Sequence, residues 1–289
     1  MDTVDTADTP PPSLTTSALA ARLGSPDWPL VLDVRRQPAY DGDPATLPAA
    51  LRCAPDAIDA FAAPPGAEVI VTCVHGHEVS RNAAKALRAR GIDARYLEGG
   101  VEHWRESGLP LLRKHAAFGI PGAAATRWVT RERPKIDRIA CPWLVRRFAD
   151  PRAEFAYLPT GEVLAAANTG GAIAYDIPGG AISHDGELCS FDVLLREFGL
   201  RDPALDELAR IVRGADTDRL DLAPQSAGLL AVSLGLGRLY ADDNELLERG
   251  MAVYDALYAW CRHARGETHG WHPENLREAM RGAKPEGNR

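Results

Sequence analysis

The stretch "EVIVTCVHGHEVSRNAAKALRARG" (68–91) constrains this chain more than any other. Its first half is a continuous, largely β-branched run, the pattern of a strand buried on both faces. Such strands belong to parallel sheets flanked by helices. The second half, from about Ser80, sets Ala83, Ala84 and Leu87 on one side and ends on Gly91, which reads as an amphipathic helix with a glycine cap. Between the two lies Cys73, followed by a glycine-bearing turn with two histidines. A second continuous run, "LVLDV" (30–34), precedes this unit, and "ARYLEGG" (94–100) with "VEHWRESG" (101–108) adds strand and helix after it. That alternation predicts a small parallel α/β domain over 14–112.

The character then changes. Residues 113–126 are rich in Ala, Gly and Pro without a clear period and read as a linker. From 127 to 272 the pattern predicts a second, mainly α-helical domain. "PKIDRIACPWLVRRF" (134–148) carries an apolar stripe that Pro142 should kink or restart. "DPALDELARIVRG" (202–214) has an Asp202 cap, a first-turn proline and Gly214 as its stop, and a further helix follows Asp242. "GGAIAYDIPGGAISHDGELCSFDVLL" (170–195) is β-like and turn-rich. The ends, 1–13 and 273–289, read as a disordered acidic, Pro/Thr-rich tail and a polar tail.

A net charge of −7 argues against a surface built to hold nucleic acid or anionic membrane. No apolar stretch approaches the ~18 residues of a membrane span, and the N-terminus has no secretory pattern. Five widely spaced cysteines without a CxxC fit free thiols in a reducing cytoplasm.

Two chemistries compete at Cys73. A small buried cysteine needs no function. Alternatively, backbone N–H groups curled above a parallel strand and heading a helix make a positive nest, which lowers a thiol pKa from ~8.5 and favours a nucleophilic thiolate. The candidate loop is Val74, His75, Gly76, His77, Glu78, Val79 and Ser80, with His75 and His77 able to add charge or a proton. A metal held by Cys73, His75 and His77 is disfavoured, since alternate positions of one tight loop rarely converge and no fourth ligand is in sight.

"LVLDVRRQPAY" with "VIVTCVHGHEVSRNAAKALRARGIDARYLEGGVEHWRESGLPL" resembles a rhodanese-homology domain over about 100 residues. The resemblance implies that Cys73 attacks a sulfane sulfur and carries it as a persulfide to an acceptor thiol, with no cofactor required. Asp33 and Arg35 match positions that are mostly structural in that family. The family's arginine before the helix is absent, its positions being Glu78 and Val79. Counted back from "AAKAL", the loop is also one residue longer, a feature of phosphatase-like and arsenate-reductase-like members whose anion is larger.

In the second half, "TRERPKIDRIACPWLVRRFADPRAEFAYLP" and "ISHDGELCSFDVLLREFGL" onward resemble the C-terminal domain of the ChrB family of chromate-resistance proteins. That resemblance implies a link to chromate but no settled chemistry. Three clusters are read from the residues. Asp137 and Cys141 lie four apart on one helix side, with Lys135 and Arg138 as neighbours of a surface aspartate or as candidates for function. His184, Cys189 and Asp192, with Asp216 arriving from elsewhere, could hold a transition metal, or could serve a turn and a helix cap. Arginines 127, 131, 133, 138, 146 and 147 could receive an oxyanion or a nucleic-acid phosphate, or form a solvated face.

The expected function is therefore a thiol sulfurtransferase acting in chromate or oxyanion resistance, taking a small sulfur donor or oxyanion and passing sulfur to a thiol acceptor. The rivals are a non-catalytic oxyanion or redox sensor, and a metal-dependent C-terminal enzyme with the rhodanese-like part as accessory.

Overall fold

The computed structural model describes residues 11–267, so the tails read over 1–13 and 273–289 lie outside the described residues, residues 11–13 excepted. In the N-terminal half, β1 (Ser13–Leu14), β2 (Leu30–Asp33), β4 (Leu51–Arg52), β5 (Val69–Thr72) and β6 (Ala94–Leu97) form one parallel sheet in the order β1-β6-β5-β2-β4. The strand read from the β-branched run is β5, the middle of the five, and all four of its residues are buried. Four helices accompany the sheet: α1 (Thr16–Ala20), α2 (Gln37–Asp41), α3 (Glu78–Ala89) and α4 (Gly100–Glu106). The chain leaves β2 toward β4 on one side and leaves β5 toward β6 on the other. The order reverses between β2 and β5, and the crevice at their carboxyl ends is where open α/β sheets bind ligands. Cys73 follows β5 at that edge. A short antiparallel pair, β3 (Ala45–Thr46) with β7 (Leu112–Arg113), closes the domain.

The segment 113–126 is well tied down. His115 bridges to Ile120, and Arg152 donates to the carbonyls of Gly122, Ala123 and Ala124.

The C-terminal half is mainly helical, but it also carries a three-stranded parallel sheet in the order β10-β8-β9: β8 (Arg127–Arg131), β9 (Glu154–Leu158) and β10 (Ile173–Ala174). Around it stand α5 (Asp137–Leu144), α6 (Val163–Gly170), α7 (Ser190–Phe198), α8 (Pro203–Asp216), α9 (Gln225–Leu239) and α10 (Asp243–His263). Pro142 sits inside α5, which passes into a wide π-type turn at Val145–Ala149. A proline has no N–H for the carbonyl four residues back, here that of Arg138. The freed oxygen accepts both the Tyr157 and Tyr175 hydroxyls at 3.3 Å. Gly214 does not stop α8, which runs on to Asp216. A Cβ at Gly214 would stand 2.3 Å from the Ser226 Oγ, so the glycine lets α9 approach α8.

One hydrophobic cluster runs through both halves, joining Leu19, Leu23 and Trp104 with Trp143, Phe148 and Tyr258. Arg262 of α10 donates to the carbonyls of Leu23 (3.0 Å) and Ala20 (3.1 Å), and the Ala49 N–H donates to the Phe148 carbonyl (2.6 Å). No helix among the described residues is long and apolar enough to cross a membrane.

Candidate functional site

The Cys73 loop is short. α3 begins at Glu78, so Glu78, Val79 and Ser80 form its first turn, and only Cys73 to His77 link strand and helix. Gly76 has φ +68 and a Cβ there would stand 2.4 Å from the Leu97 carbonyl oxygen, so this position requires glycine. The first turn of α4 grips the loop from the other side. The Val101 and Glu102 N–H groups donate to the Cys73 and Val74 carbonyls, each at 3.0 Å. Cys73 is 5% exposed, and its Sγ donates to the Ser80 Oγ (3.2 Å), which in turn donates to the His77 carbonyl (3.2 Å). His77 occupies the cap position of α3 without a side-chain cap bond, which leaves first-turn N–H groups for another acceptor.

His75, His77 and Glu78 are exposed; the two imidazoles lie 5.8 Å apart. Arg81 lies over the Tyr96 ring, 5.0 Å from its centre. A shallow cavity of about 300 Å³ runs along α3 beside the loop, lined by Arg36, Ile58, Glu78, Val79 and Asn82 among others. Behind it, Arg35 is buried, bonds both Asp33 oxygens (2.6–3.0 Å) and the Asp43 carboxylate (2.6 Å), and donates to the Ala45 carbonyl. These groups tie the end of β2 to β3.

A second constellation lies in the C-terminal half. His184 Nε2 stands 3.1 Å from Asp216 Oδ2, 3.4 Å from Asp176 Oδ1 and 3.6 Å from Asp137 Oδ2. Four segments deliver these groups: the start of α5, the residue pair after β10, the loop 183–188, and the last residue of α8. Two arrive through left-handed backbone, at Ile136 (φ 27) just before Asp137 and at Asp176 itself (φ 49). A β-branched residue in that region is a marked outlier. Asp137 is fully buried, not the surface aspartate that its helix position allowed, and pairs with neither Lys135, which is exposed, nor Arg138. Its Oδ2 accepts the Ser190 (2.5 Å) and Phe191 (3.3 Å) N–H groups, and its Oδ1 has no hydrogen-bond partner.

Burial, with the charges of Asp216 and Asp176 adding, pushes the Asp137 carboxyl well above the usual carboxylate range; burial and Asp176 push Asp216 up as well. Asp176 is compensated differently. Arg131 (3.0 Å) and Arg138 (3.3 Å) hold its Oδ2, and the Ser190 hydroxyl donates to its Oδ1 (2.9 Å).

The structure therefore brings His184 and Asp216 together with Asp137 and Asp176; Asp192 lies outside this group, while the Cys189 thiol still reaches Asp137 and favours its charged form. Cys189 caps α7 and its thiol donates to Asp192 Oδ2 (3.2 Å); Asp192 also receives Arg213 (2.9 Å). Cys141, on the same helix as Asp137, is 1% exposed, and burial pushes its thiol well up. The arginine-rich segment is engaged within the fold: besides Arg131 and Arg138, Arg127 donates to the Gly170 carbonyl, Arg133 and Arg147 pair with Asp243 and Asp255, and Arg146 pairs with Glu248. Asp176 went unread in the sequence; its one signal is its place in "YDIPGG", an aspartate entering a Pro-Gly turn after a β-like run. Among the described residues, the Asp137, His184 and Asp216 ligand atoms lie within 4.8 Å of one another, a cluster running from a buried carboxylate to an exposed imidazole that could coordinate a metal ion.

Comparison with known proteins agrees with the two halves. Residues 15–107 match the family model of the rhodanese-like domain, and residues 128–261 match that of the ChrB C-terminal domain. The chain is a rhodanese-like domain fused to a ChrB C-terminal domain. It is 35% identical over 133 residues to Protein ChrB of Cupriavidus metallidurans, a match covering 46% of this chain and 40% of that relative's length. Solved structures similar to the N-terminal part include a rhodanese-related protein from Thermoplasma volcanium (22% identity, 35% of this chain and 96% of that one, TM-score 0.31). Another is a rhodanese homologue from Thermus thermophilus (28%, 32% and 98%, TM-score 0.25). With both scores this low, the fold assignment rests on the strand order and the family model.

Proposed function

We propose that the N-terminal domain is a thiol sulfurtransferase in which Cys73 carries sulfane sulfur, and that it serves chromate or oxyanion resistance in the cytoplasm. The observation that carries this reading is the position of the Cys73 Sγ. It stands at the carboxyl edge of the central strand, at the head of α3, with the Ser80 hydroxyl 3.2 Å away. The Cys73 thiolate attacks the outer sulfur of a donor RS–SH or thiosulfate. The S–S bond of the donor breaks, RS⁻ or sulfite leaves with the electron pair, and Cys73 holds the persulfide. An acceptor thiolate then takes the outer sulfur and returns Cys73 as thiolate. N–H groups at the start of α3 and the Ser80 hydroxyl stabilise the sulfur anion. Glu78 stands exposed in that first turn where the resembling family has an arginine, and its charge opposes a dianion. Small persulfides are therefore the favoured donors over thiosulfate.

The test is intact mass after exposure to a persulfide donor and to thiosulfate, before and after cyanide. A gain of one sulfur, absent in Cys73→Ser and removed by cyanide as thiocyanate, supports transfer. No loading from either donor, with chromate or arsenate still altering alkylation of Cys73, makes the loop an anion receptor and refutes the transferase.

A further inference from the structure

We propose that Asp137, His184 and Asp216 bind one divalent transition-metal ion in the C-terminal domain. Ligand spacing is the first argument. Nitrogen and oxygen ligands at about 2.0–2.2 Å from a shared ion lie about 3–3.6 Å apart when adjacent in octahedral or tetrahedral coordination. The His184 Nε2 distances to Asp216 Oδ2 (3.1 Å) and Asp137 Oδ2 (3.6 Å) match that spacing. The second argument is Asp137 itself. Its carboxylate is 0% exposed, no arginine or lysine touches it, and one oxygen has no hydrogen-bond partner at all. A buried, half-satisfied carboxylate is costly unless a cation stands beside it.

A protonated His184 is the competing account of the same geometry. Its single Nε2 proton serves one carboxylate, with Asp216 the nearest at 3.1 Å, and leaves the buried Asp137 carboxylate without a cation. A dication meets all three ligands at once. Asp176 already has its charge met by Arg131 and Arg138, and its Oδ1 takes the Ser190 hydroxyl while facing His184 at 3.4 Å. The fold thus already occupies both Asp176 oxygens, and the His184 nitrogen that Asp176 faces is the one that would bind the ion, so Asp176 stays outside the ligand set.

The donor set also selects the ion. Carboxylate oxygens with one imidazole and no thiolate favour Mn²⁺, Fe²⁺ or Zn²⁺ over Cu⁺, and the imidazole disfavours Mg²⁺ and Ca²⁺. The ion can enter from solvent, since the His184 side chain is 41% exposed above the buried Asp137.

The experiment uses the full chain stripped with a chelator and titrated separately with Mn²⁺ and Zn²⁺. Calorimetry and elemental analysis give stoichiometry, and Co²⁺ absorption reports ligand geometry. One ion per chain is expected for the wild type, with thermal stabilisation on loading. His184→Ala, at a half-exposed position, should fold and lose at least the 10–100-fold in affinity that even outer groups of a metal site contribute. Asp137→Asn keeps the shape and should do the same, while His103→Ala, at an exposed position of α4, should bind as the wild type does. No stoichiometric ion in the wild type, or folded His184→Ala binding as tightly as wild type, would overturn the metal site and return His184 to an ion-pairing role.

Discussion

Gly100→Ala tests the contact that seats the cysteine loop. Gly100 has φ +59, and an added Cβ would stand 2.3 Å from the Cys73 carbonyl oxygen, 2.6 Å from that of Val74 and 2.7 Å from the Gly76 nitrogen. All three atoms belong to backbone, so no side chain can swing away and the loop itself must move. Two terms oppose the variant. Left-handed backbone costs a residue with a Cβ about 1–2 kcal/mol, and overpacking a close contact adds about 1–3 kcal/mol. Gly91→Ala isolates the first term, because Gly91 has φ +81 and nothing within 4 Å of the added atom. Denaturant unfolding at unchanged slope should then show a loss of about 1–2 kcal/mol for Gly91→Ala and about 2–5 kcal/mol for Gly100→Ala. Under conditions where both variants are folded, the alkylation rate of Cys73 should change only in Gly100→Ala. If Gly100→Ala is no less stable than Gly91→Ala and alkylates as wild type, the loop does not rest on that turn and the reasoning fails.

Arg35→Met leaves the fully buried Asp33 without its cation and should cost about 3–5 kcal/mol in the same unfolding assay, whereas a loss below 1 kcal/mol would mean that Thr46 and backbone suffice. Burial pushes the Cys261 thiol up to about 11 and raises Cys53, Cys141 and Cys189 as well. A thiol with its pKa near 11 is ionised in about one molecule in a thousand at pH 8, so Cys73 should alkylate first there, with Cys261 joining as pH rises toward 11; peptide mapping that finds Cys261 labelled as fast as Cys73 at pH 8 would contradict this. Tyr175→Phe removes a buried hydroxyl from the Arg138 carbonyl and should cost about 1 kcal/mol. The penalty should shrink in a Pro142→Ala background, where the restored N–H serves that carbonyl, and a double-mutant cycle with zero coupling would sink the explanation.

What could be read from the sequence divides by distance along the chain. The Cys73 unit was legible because strand, loop and helix are consecutive, and because Gly91 ends α3 with φ +81 as a helix stop should. The strands β8 and β9 were missed for a physical reason. "RWVTR" and "EFAYL" are short and lack a strict period-two alternation, and the arginines of the first drew it into a basic run, though they prove to be tethers. Gly214 looks like a helix stop by the same rule that works at Gly91. The difference lies in Ser226, a residue twelve positions on that packs where a Cβ would be, and no local pattern contains it.

The C-terminal cluster shows the limit more sharply. Asp137, Asp176, His184 and Asp216 span 80 residues of sequence, and each sits where an ordinary local role is available: helix start, turn, loop, helix end. Their common purpose is visible only in how the fold treats them. Ile136 takes a backbone conformation that β-branched residues avoid, and α8 continues through a glycine to end on Asp216. Strain of this kind persists only where the surroundings enforce it, and it concentrates at functional sites. Burial with the charges of Asp216 and Asp176 pushes the Asp137 carboxyl up, and burial with Asp176 pushes up Asp216. One Asp137 oxygen accepts the buried Ser190 and Phe191 N–H groups that head α7, a local role, but the other oxygen has no partner, and that role alone needs no second acceptor. Keeping an aspartate there, inside the helix that also carries the core residues Ile139 and Trp143, makes sense when the charge is needed.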